Sequence, residues 1–183
     1  MPTRERYIWC MIVIRNARSR DVPSIARIHI DMWRVAYAEL LPPDFLRNLS
    51  YSRSRLQWEA LIERHSGVLL VAESNEDGVV AFAAGGAERT KAFDVDGELM
   101  ALYVLSSHHG NGIGRALVRR MAQELEANGR SGMVVWVLSD NPARSFYAHL
   151  GGEPAGKQRL EIGKQSIPEE AYVFRDLRKL STS

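Results

Sequence analysis

The sequence predicts a mixed α/β fold in a single domain, because segments of helical and of strand character alternate along the chain. Apolar residues recur at a spacing of four at Ile113, Leu117, Met121 and Leu125, which is one face of a helix. Short apolar runs such as residues 133–138 have the length of buried strands. The 183 residues, 45% of them hydrophobic and 25% charged, are typical of one globular domain.

The first third of the chain predicts one strand followed by helices. Residues 12–14 form a short β-branched run, which favours a strand. Asp21 is a good N-cap and Pro23 lies in the first turn of the helix that follows, which we expect to run to about Glu39. A second helix, or a pair of helices, is expected over residues 44–64.

The remaining two thirds predict strands separated by two helices. The run at 97–105 is apolar on both faces and is therefore expected near the centre of the sheet. Helices are expected after the glycine cluster at 110–114, ending at Asn128, and over 141–150. The other predicted strands are 68–72, 79–84, 133–138, 157–162 and 171–177.

Composition and charge exclude several classes of protein. The formal net charge is only +2, and the Arg15, Arg18 and Arg20 group is too sparse for the basic face of a nucleic-acid binder. No apolar run approaches the roughly 18 residues that a membrane span needs. The single cysteine, Cys10, allows no disulfide within the chain, which favours a reducing compartment. We therefore expect a cytoplasmic protein.

The patterned region begins at Met11. Residues 1–10 are interpreted as an extension outside the fold, and residues 11–180 as the single domain, with Met11 as an alternative functional start.

Three glycines at alternate positions, Gly110, Gly112 and Gly114, precede the apolar stripe of a helix. The N-terminus of a helix carries unpaired amides and a positive dipole end, and glycines let a phosphate approach the backbone closely. Arg115 adds charge in the first turn. The pattern favours a diphosphate site, although the same glycines would also serve a tight strand-to-helix turn.

Two other phosphate-binding motifs do not fit this loop. The dinucleotide fingerprint Gly-x-Gly-x-x-Gly, counted from Gly110, would need glycine where Arg115 stands. A Walker loop would need Lys and Ser or Thr after Gly114, where the chain has Arg115 and Ala116.

The segment from His109 to Gly114 resembles the Arg/Gln-x-x-Gly-x-Gly/Ala signature of the GNAT superfamily of acetyl-CoA-dependent N-acyltransferases, with His109 in the place of Arg or Gln. Residues 141–152 resemble the family's second motif, in which Asn141 and the Phe146-Tyr147 pair keep their places and Gly152 replaces a phenylalanine. The resemblance covers nearly all of residues 11–180. It implies a mostly antiparallel twisted sheet of six or seven strands, flanked by helices and splayed between the fourth and fifth strands.

The resemblance also implies how acetyl-CoA would be held as co-substrate. The pantetheine arm would pair with free backbone groups of the central strand like an added strand, and backbone amides of the glycine turn would hold the pyrophosphate. Asn141 and Ser145 would add contacts, Asn141 besides capping its helix. The implied cofactor residues are Leu102, Tyr103, Val104, His109, Gly110, Asn111, Gly112, Ile113, Gly114, Arg115, Asn141 and Ser145.

Direct attack of an amine on the thioester requires the amine to lose a proton and the leaving sulfur to be stabilised. Tyr147 is the candidate for the second role, and an aromatic core residue is the alternative interpretation. Glu98, at the start of the central strand, is the candidate base through water, with Asp94 and Asp96 as rivals and an ordinary charge at a strand edge as the alternative.

Trp33 and Tyr37 lie four apart on the first helix and so share one face. The family's acceptor pocket is walled by this helix, which makes both candidate substrate-binding residues, although core packing is the simpler interpretation of Trp33. The adjacent His108 and His109 lack a third ligand at metal-site spacing, so no metal is expected.

We therefore expect an N-acetyltransferase that transfers an acetyl group from acetyl-CoA to a primary amine in a ternary complex. A small-molecule amine or a protein amine is the expected partner, with no nucleic acid and no membrane, and a homodimer is an arrangement that the family allows. The alternatives are a non-catalytic acyl-CoA-binding sensor and, more remotely, a nucleic-acid-binding α/β module.

Overall fold

A computed structural model describes residues 11–162 and 165–181 of the chain. Its seven strands are β1 (Ile12–Asn16), β2 (Val68–Ser74), β3 (Gly78–Ala87), β4 (Gly97–Val104), β5 (Met133–Leu138), β6 (Glu153–Ile162) and β7 (Gln165–Phe174). Its six helices are α1 (Val22–Ala36), α2 (Pro43–Arg47), α3 (Tyr51–Glu63), α4 (Ile113–Ala127), α5 (Ala143–His149) and α6 (Leu177–Ser181).

The strands form one sheet in the order β1-β2-β3-β4-β5-β7-β6. All neighbours are antiparallel except β4 and β5, which run parallel. The expected mixed α/β fold with a mostly antiparallel sheet of six or seven strands is therefore confirmed.

The sheet splays between its fourth and fifth strands. The ladder between β4 and β5 has only two pairs, Gly97 with Met133 and Glu98 with Val134, after which the strands separate. On its other side, β4 pairs Ala101 with Ala84 but Leu99 with Gly85, so Met100 is an extra residue in β4. Such a bulge bends its strand and breaks the ladder locally. The bend lies where β4 leaves β5, and it opens the slot that the resemblance implies.

The helices cover the two faces of the sheet. On one face α1 and α3 pack on β2, β3 and β4 around Phe82, which is fully buried. On the opposite face α4, α5 and α6 pack on the sheet, and the predicted stripe of α4 is buried throughout at Ile113, Leu117, Met121 and Leu125. Each large side chain buried in this way contributes about 1.5–3 kcal/mol relative to exposure.

The predicted elements all exist, with shifted ends. The helix over 44–64 is a pair, α2 and α3, because the Ser50 side chain accepts a hydrogen bond from the Arg53 amide and starts α3 afresh. The strand expected over 171–177 is wrong at both ends. The strand spans Gln165 to Phe174 and pairs with β6 from Gln165 to Val173, and Leu177 begins the short helix α6. The extension expected over 1–10 lies outside the described residues.

Candidate active site

A cavity of about 620 Å³ occupies the slot between β4 and β5. Its walls come from both faces of the sheet: Met32, Ala36 and Tyr37 from the end of α1 on one side, and Phe146 and Tyr147 from α5 on the other. Cavities that bind small molecules have volumes of this order. Because the slot joins the two faces, molecules entering from opposite sides can meet inside it.

The glycine turn forms one end of the cavity. Gly110 and Gly112 have φ angles of 77° and 75°, the left-handed region that only glycine adopts easily. Gly112 is the N-cap of α4, and a Cβ added at either glycine would meet no atom within 4 Å. The turn therefore presents the amides at the start of α4 to open space, as an anion site requires.

Most predicted phosphate-binding residues line this end of the cavity. The lining includes His109, Gly110, Gly112, Ile113, Gly114 and Arg115, and it leaves out Asn111. Arg115 is exposed and forms no ion pair with any described residue, so its charge is available to an anion. The His109 ring bonds through Nε2 to the carbonyl of Val104 at 2.8 Å, which ties the turn to the end of β4.

Leu102, Tyr103 and Val104 also line the cavity, on the part of β4 that has left β5. This side of β4 forms no ladder with β5 beyond Glu98, so it is open to a chain that pairs like an added strand. The two contacts expected next to it differ. Asn141 lines the cavity, whereas Ser145 does not, and its hydroxyl donates to the Pro142 carbonyl at 2.9 Å.

Asn141 acts one residue earlier than a regular N-cap. Its Oδ1 accepts a hydrogen bond from the Ala143 amide at 2.9 Å, and Ala143 is the first residue of α5. The position expected to cap the helix is taken by Pro142, whose side chain cannot accept a hydrogen bond. Asn141 thus organises the turn that carries Tyr147 into the cavity wall.

Tyr147 is buried, with 7% of its surface exposed, and lines the cavity. Its hydroxyl forms no hydrogen bond with the residues in 11–162 or 165–181. Burial raises the pKa of the phenol well above its usual range, and Tyr37 acts in the same direction. The group is therefore a neutral hydrogen-bond donor at physiological pH. The aromatic packing considered for Tyr147 holds too, since its ring lies 5.1 Å from that of Phe146.

Glu98 is buried, and Arg89 occupies both of its oxygens. The Nε of Arg89 donates to Oε2 at 2.9 Å and Nη2 donates to Oε1 at 2.5 Å. The Arg89 side chain is 65% exposed, whereas that of Glu98 is 2% exposed. Glu98 is not among the residues that line the cavity. Its assignment as the base stays a prediction.

The two rivals of Glu98 lie in the loop before β4. Asp96 accepts hydrogen bonds from the amides of Ser131 and Gly132, which fastens that loop to the start of β5. This geometry gives Asp96 a structural task. Asp94 is exposed.

On the α1 face, aromatic side chains form a hydrogen-bonded wall. Trp33 donates from Nε1 to the Tyr103 hydroxyl at 2.7 Å, and Tyr103 and Asn141 both influence the pKa of the nearby Tyr37. Burial raises the pKa of Tyr37 and that of Tyr103. Tyr37 lines the cavity, whereas Trp33 lies behind it in a cluster with Leu41.

The sequence did not predict a role for two residues near the slot. Arg89 holds Glu98, and Glu169 in β7 is a carboxylate that is 9% exposed. A signal for Glu169 exists in the sequence, since it shares the alternation of the apolar Ala171 and Val173 and so had to lie on a buried face. Arg89 lies in a loop after a strand, where the sequence has no periodic pattern, so its pairing with Glu98 could not be predicted.

A comparison with known proteins identifies the chain's family. The profile of FR47-like proteins matches residues 84–160, which include β4, the glycine turn and α5. The uncharacterized N-acetyltransferase YuaI of Bacillus subtilis (strain 168) is 34% identical over 172 residues, which cover 94% of this chain and 98% of that protein. The chain belongs to the GNAT-type N-acetyltransferase family. It is thus an acyltransferase by family, as its motifs predicted.

Solved structures share the fold of this N-acetyltransferase. The yncA protein of Salmonella typhimurium, solved with its cofactor acetyl-CoA, is 22% identical, covers 90% of this chain and 93% of its own, and superposes with a TM-score of 0.68. The paia N-acetyltransferase of Thermoplasma acidophilum, solved with coenzyme A, is 16% identical with a TM-score of 0.65, and 87% of this chain and 98% of that chain are covered.

None of the helices in the described ranges has the length and apolar character needed to cross a bilayer. Within the same ranges, no group of three or more His, Cys, Asp or Glu side chains is arranged to hold a metal ion.

Proposed function

We propose that this protein transfers the acetyl group of acetyl-CoA to a primary amine, by direct attack in a ternary complex. The observation that carries the proposal is the slot itself. One of its ends is a turn of left-handed glycines at a helix N-terminus, and one of its walls is an unpaired strand edge. A diphosphate and an amide-bearing arm fit these two features.

The residues of the slot divide the work between cofactor and acceptor. Amides of the glycine turn and the charge of Arg115 would hold the pyrophosphate, while those backbone groups of 102–104 that β3 and His109 leave unpaired would align the pantetheine arm. The α1 wall at Tyr37 would bound the acceptor. The bound thioester supplies an activated acetyl group, and the chain contributes position and proton handling.

Tyr147 would stabilise the departing sulfur. Its neutral phenol has no hydrogen-bond partner among the described residues and lines the slot. Because burial raises the pKa of Tyr147 above that of a typical thiol, which is about 8.5, a hydrogen bond to the developing thiolate is favoured over early proton transfer. Acid assistance of this kind accelerates such reactions by about 10²–10⁴. Glu98 is the base that the sequence suggests.

The test is a panel of amines incubated with acetyl-CoA, with release of the free thiol as the readout. The panel contains amino acids, polyamines, aminoglycosides and peptides with a free N-terminus or lysine. Thiol release that depends on one class of amine, matched by an acetylated product in mass spectrometry, is the expected result. Tight acetyl-CoA binding without thiol release for any amine would contradict the proposal and favour the non-catalytic sensor.

A further inference from the structure

Glu169 is a buried carboxylate that the functions assigned so far do not use. It lies in β7 opposite Leu138 of β5, on the same face as Ala171 and Val173, which are fully buried. Its neighbour Glu170 points to the opposite face, where Arg144 and Lys157 neutralise it. Glu169 forms no ion pair with any residue that the structure describes, and carboxylates are seldom buried in that way without a reason.

The groups that face Glu169 leave one of its oxygens available. Gln158 of β6 donates to Oε2 at 3.0 Å, and no described residue donates to Oε1. Burial raises the pKa of Glu169, the hydrogen bond from Gln158 opposes that effect, the nearby charge of Glu98 raises the pKa further, and Arg89 lowers it. Burial raises the pKa of Tyr37, at the end of α1, and the charge of Glu169 acts in the same direction.

Glu98 and Glu169 therefore form a pair of carboxylates in contrasting surroundings. Both oxygens of Glu98 accept from Arg89, so its lone pairs are engaged. Glu169 has a free oxygen and a raised affinity for protons. A pair whose surroundings differ in this manner commonly divides the roles in proton transfer.

Glu169 lies next to residues of the cavity wall, although it is not itself among the lining residues. Tyr37, whose pKa is raised by burial and further by the charge of Glu169, lines the cavity. Trp136 lines it too, and its partner in β7 is Ala171, two residues from Glu169 on the same face. The buried Nε1 of Trp136 has no hydrogen-bond partner in the described chain. An incoming polar group would therefore find both a donor and a carboxylate here.

We infer that Glu169, rather than Glu98, accepts the proton that the acceptor amine loses, while the Arg89–Glu98 pair positions this corner of the site. The inference rests on the proposed amine acetylation. Glu169 takes one proton from the ammonium group through a bridging water, and the freed nitrogen attacks the acetyl carbon. The carbon–nitrogen bond forms and the carbon–sulfur bond breaks. Tyr147 gives its proton to the sulfur and regains one from the nitrogen, and Glu169 returns its proton to solvent.

The experiment compares Glu169→Gln, Glu98→Gln and the control Glu170→Gln in the full chain, using the best amine of the panel. In Glu169→Gln the new amide oxygen can still accept from Gln158, so the fold should persist. We expect Glu169→Gln to lower kcat/KM about 100-fold or more. It should also abolish the decrease of kcat/KM at acidic pH that protonation of an enzyme group causes. The decrease caused by protonation of the amine itself should remain, and the Kd for acetyl-CoA should be unchanged.

Glu98→Gln should keep the decrease of kcat/KM that an enzyme group causes at acidic pH, and Glu170→Gln should keep both the rate and its pH dependence. The inference is overturned if Glu169→Gln retains that decrease, or if Glu98→Gln is the variant that loses it. A wild-type protein that binds acetyl-CoA but acetylates no amine would instead refute the proposed function. Loss of the rate in Glu169→Gln together with an altered Kd for acetyl-CoA would indicate a structural role and would also count against the inference.

Discussion

At the scale of single residues, burial decides what a polar group can do. Tyr147 and Tyr172 are both buried in the same core, and their rings lie 6.4 Å apart. Only Tyr147 lines the cavity. A buried tyrosine thus only packs in the core at position 172, whereas at position 147 it also faces the cavity.

Replacing Tyr147 by Phe should lower kcat by about 10²-fold or more while leaving the Kd for acetyl-CoA within about twofold. The reason is that the lost hydroxyl acts on charge that develops only as the sulfur leaves. The rate of thiol release at saturating substrate gives kcat, and calorimetry gives Kd. Tyr172→Phe is the matched control and should keep both constants. Equal losses in kcat and affinity for Tyr147→Phe would refute the acid role.

Residue roles were only partly predictable from the sequence. Tyr147 could be found because a motif surrounds it, and the structure places it in the cavity wall. The Arg89–Glu98 pair could not, because it joins a loop to a strand across nine positions without any periodic pattern. Sequence alternation reports which face a side chain occupies, but it does not report the partner found there.

At the scale of elements, α4 joins core packing to ligand binding. Its buried stripe fixes the helix on the sheet, and this position directs its N-terminus to the cavity. The stripe and the glycines were readable because both are local and periodic. The bulge in β4 was not readable, since it depends on register with β3.

Gly112→Asp should weaken acetyl-CoA binding by at least about 10-fold, or roughly 1.4 kcal/mol, because a carboxylate would stand where the phosphate is expected and would strain the left-handed backbone. Gly129→Asp is the control, as Gly129 has a φ of 78° at the other end of the same helix and open space around it. Both variants should lose similar thermal stability, and only Gly112→Asp should lose affinity in calorimetry. An unchanged affinity would refute the assignment of the glycine turn as the pyrophosphate site.

At the scale of the whole molecule, the α1 face of the core contains a histidine. The ring of His29 lies 5.4 Å from that of Trp58 and 5.6 Å from that of Tyr103, and its Nδ1 lies 3.0 Å from the Ser54 hydroxyl. Burial lowers the pKa of His29 from 6.5 to about 4. The folded protein therefore holds this ring neutral where the unfolded chain would already bind a proton.

The free energy of unfolding should accordingly fall as the pH drops from about 6.5 to 4, by about 3 kcal/mol from this group, and should be independent of His29 above that window. Urea unfolding at several pH values measures it. His29→Gln should flatten this part of the curve relative to wild type. His65→Asn, at an exposed position, should leave it unchanged. An identical pH dependence in wild type and His29→Gln would refute the argument.

The extra residue Met100 in β4 has a kinetic consequence. Because the chain itself bends β4 away from β5 at this point, the gap exists in the protein alone. A thioester-bearing arm would therefore break no interstrand hydrogen bonds on its way in. Its association should proceed in a single concentration-dependent phase, with no slow step in which the sheet must first be pulled apart.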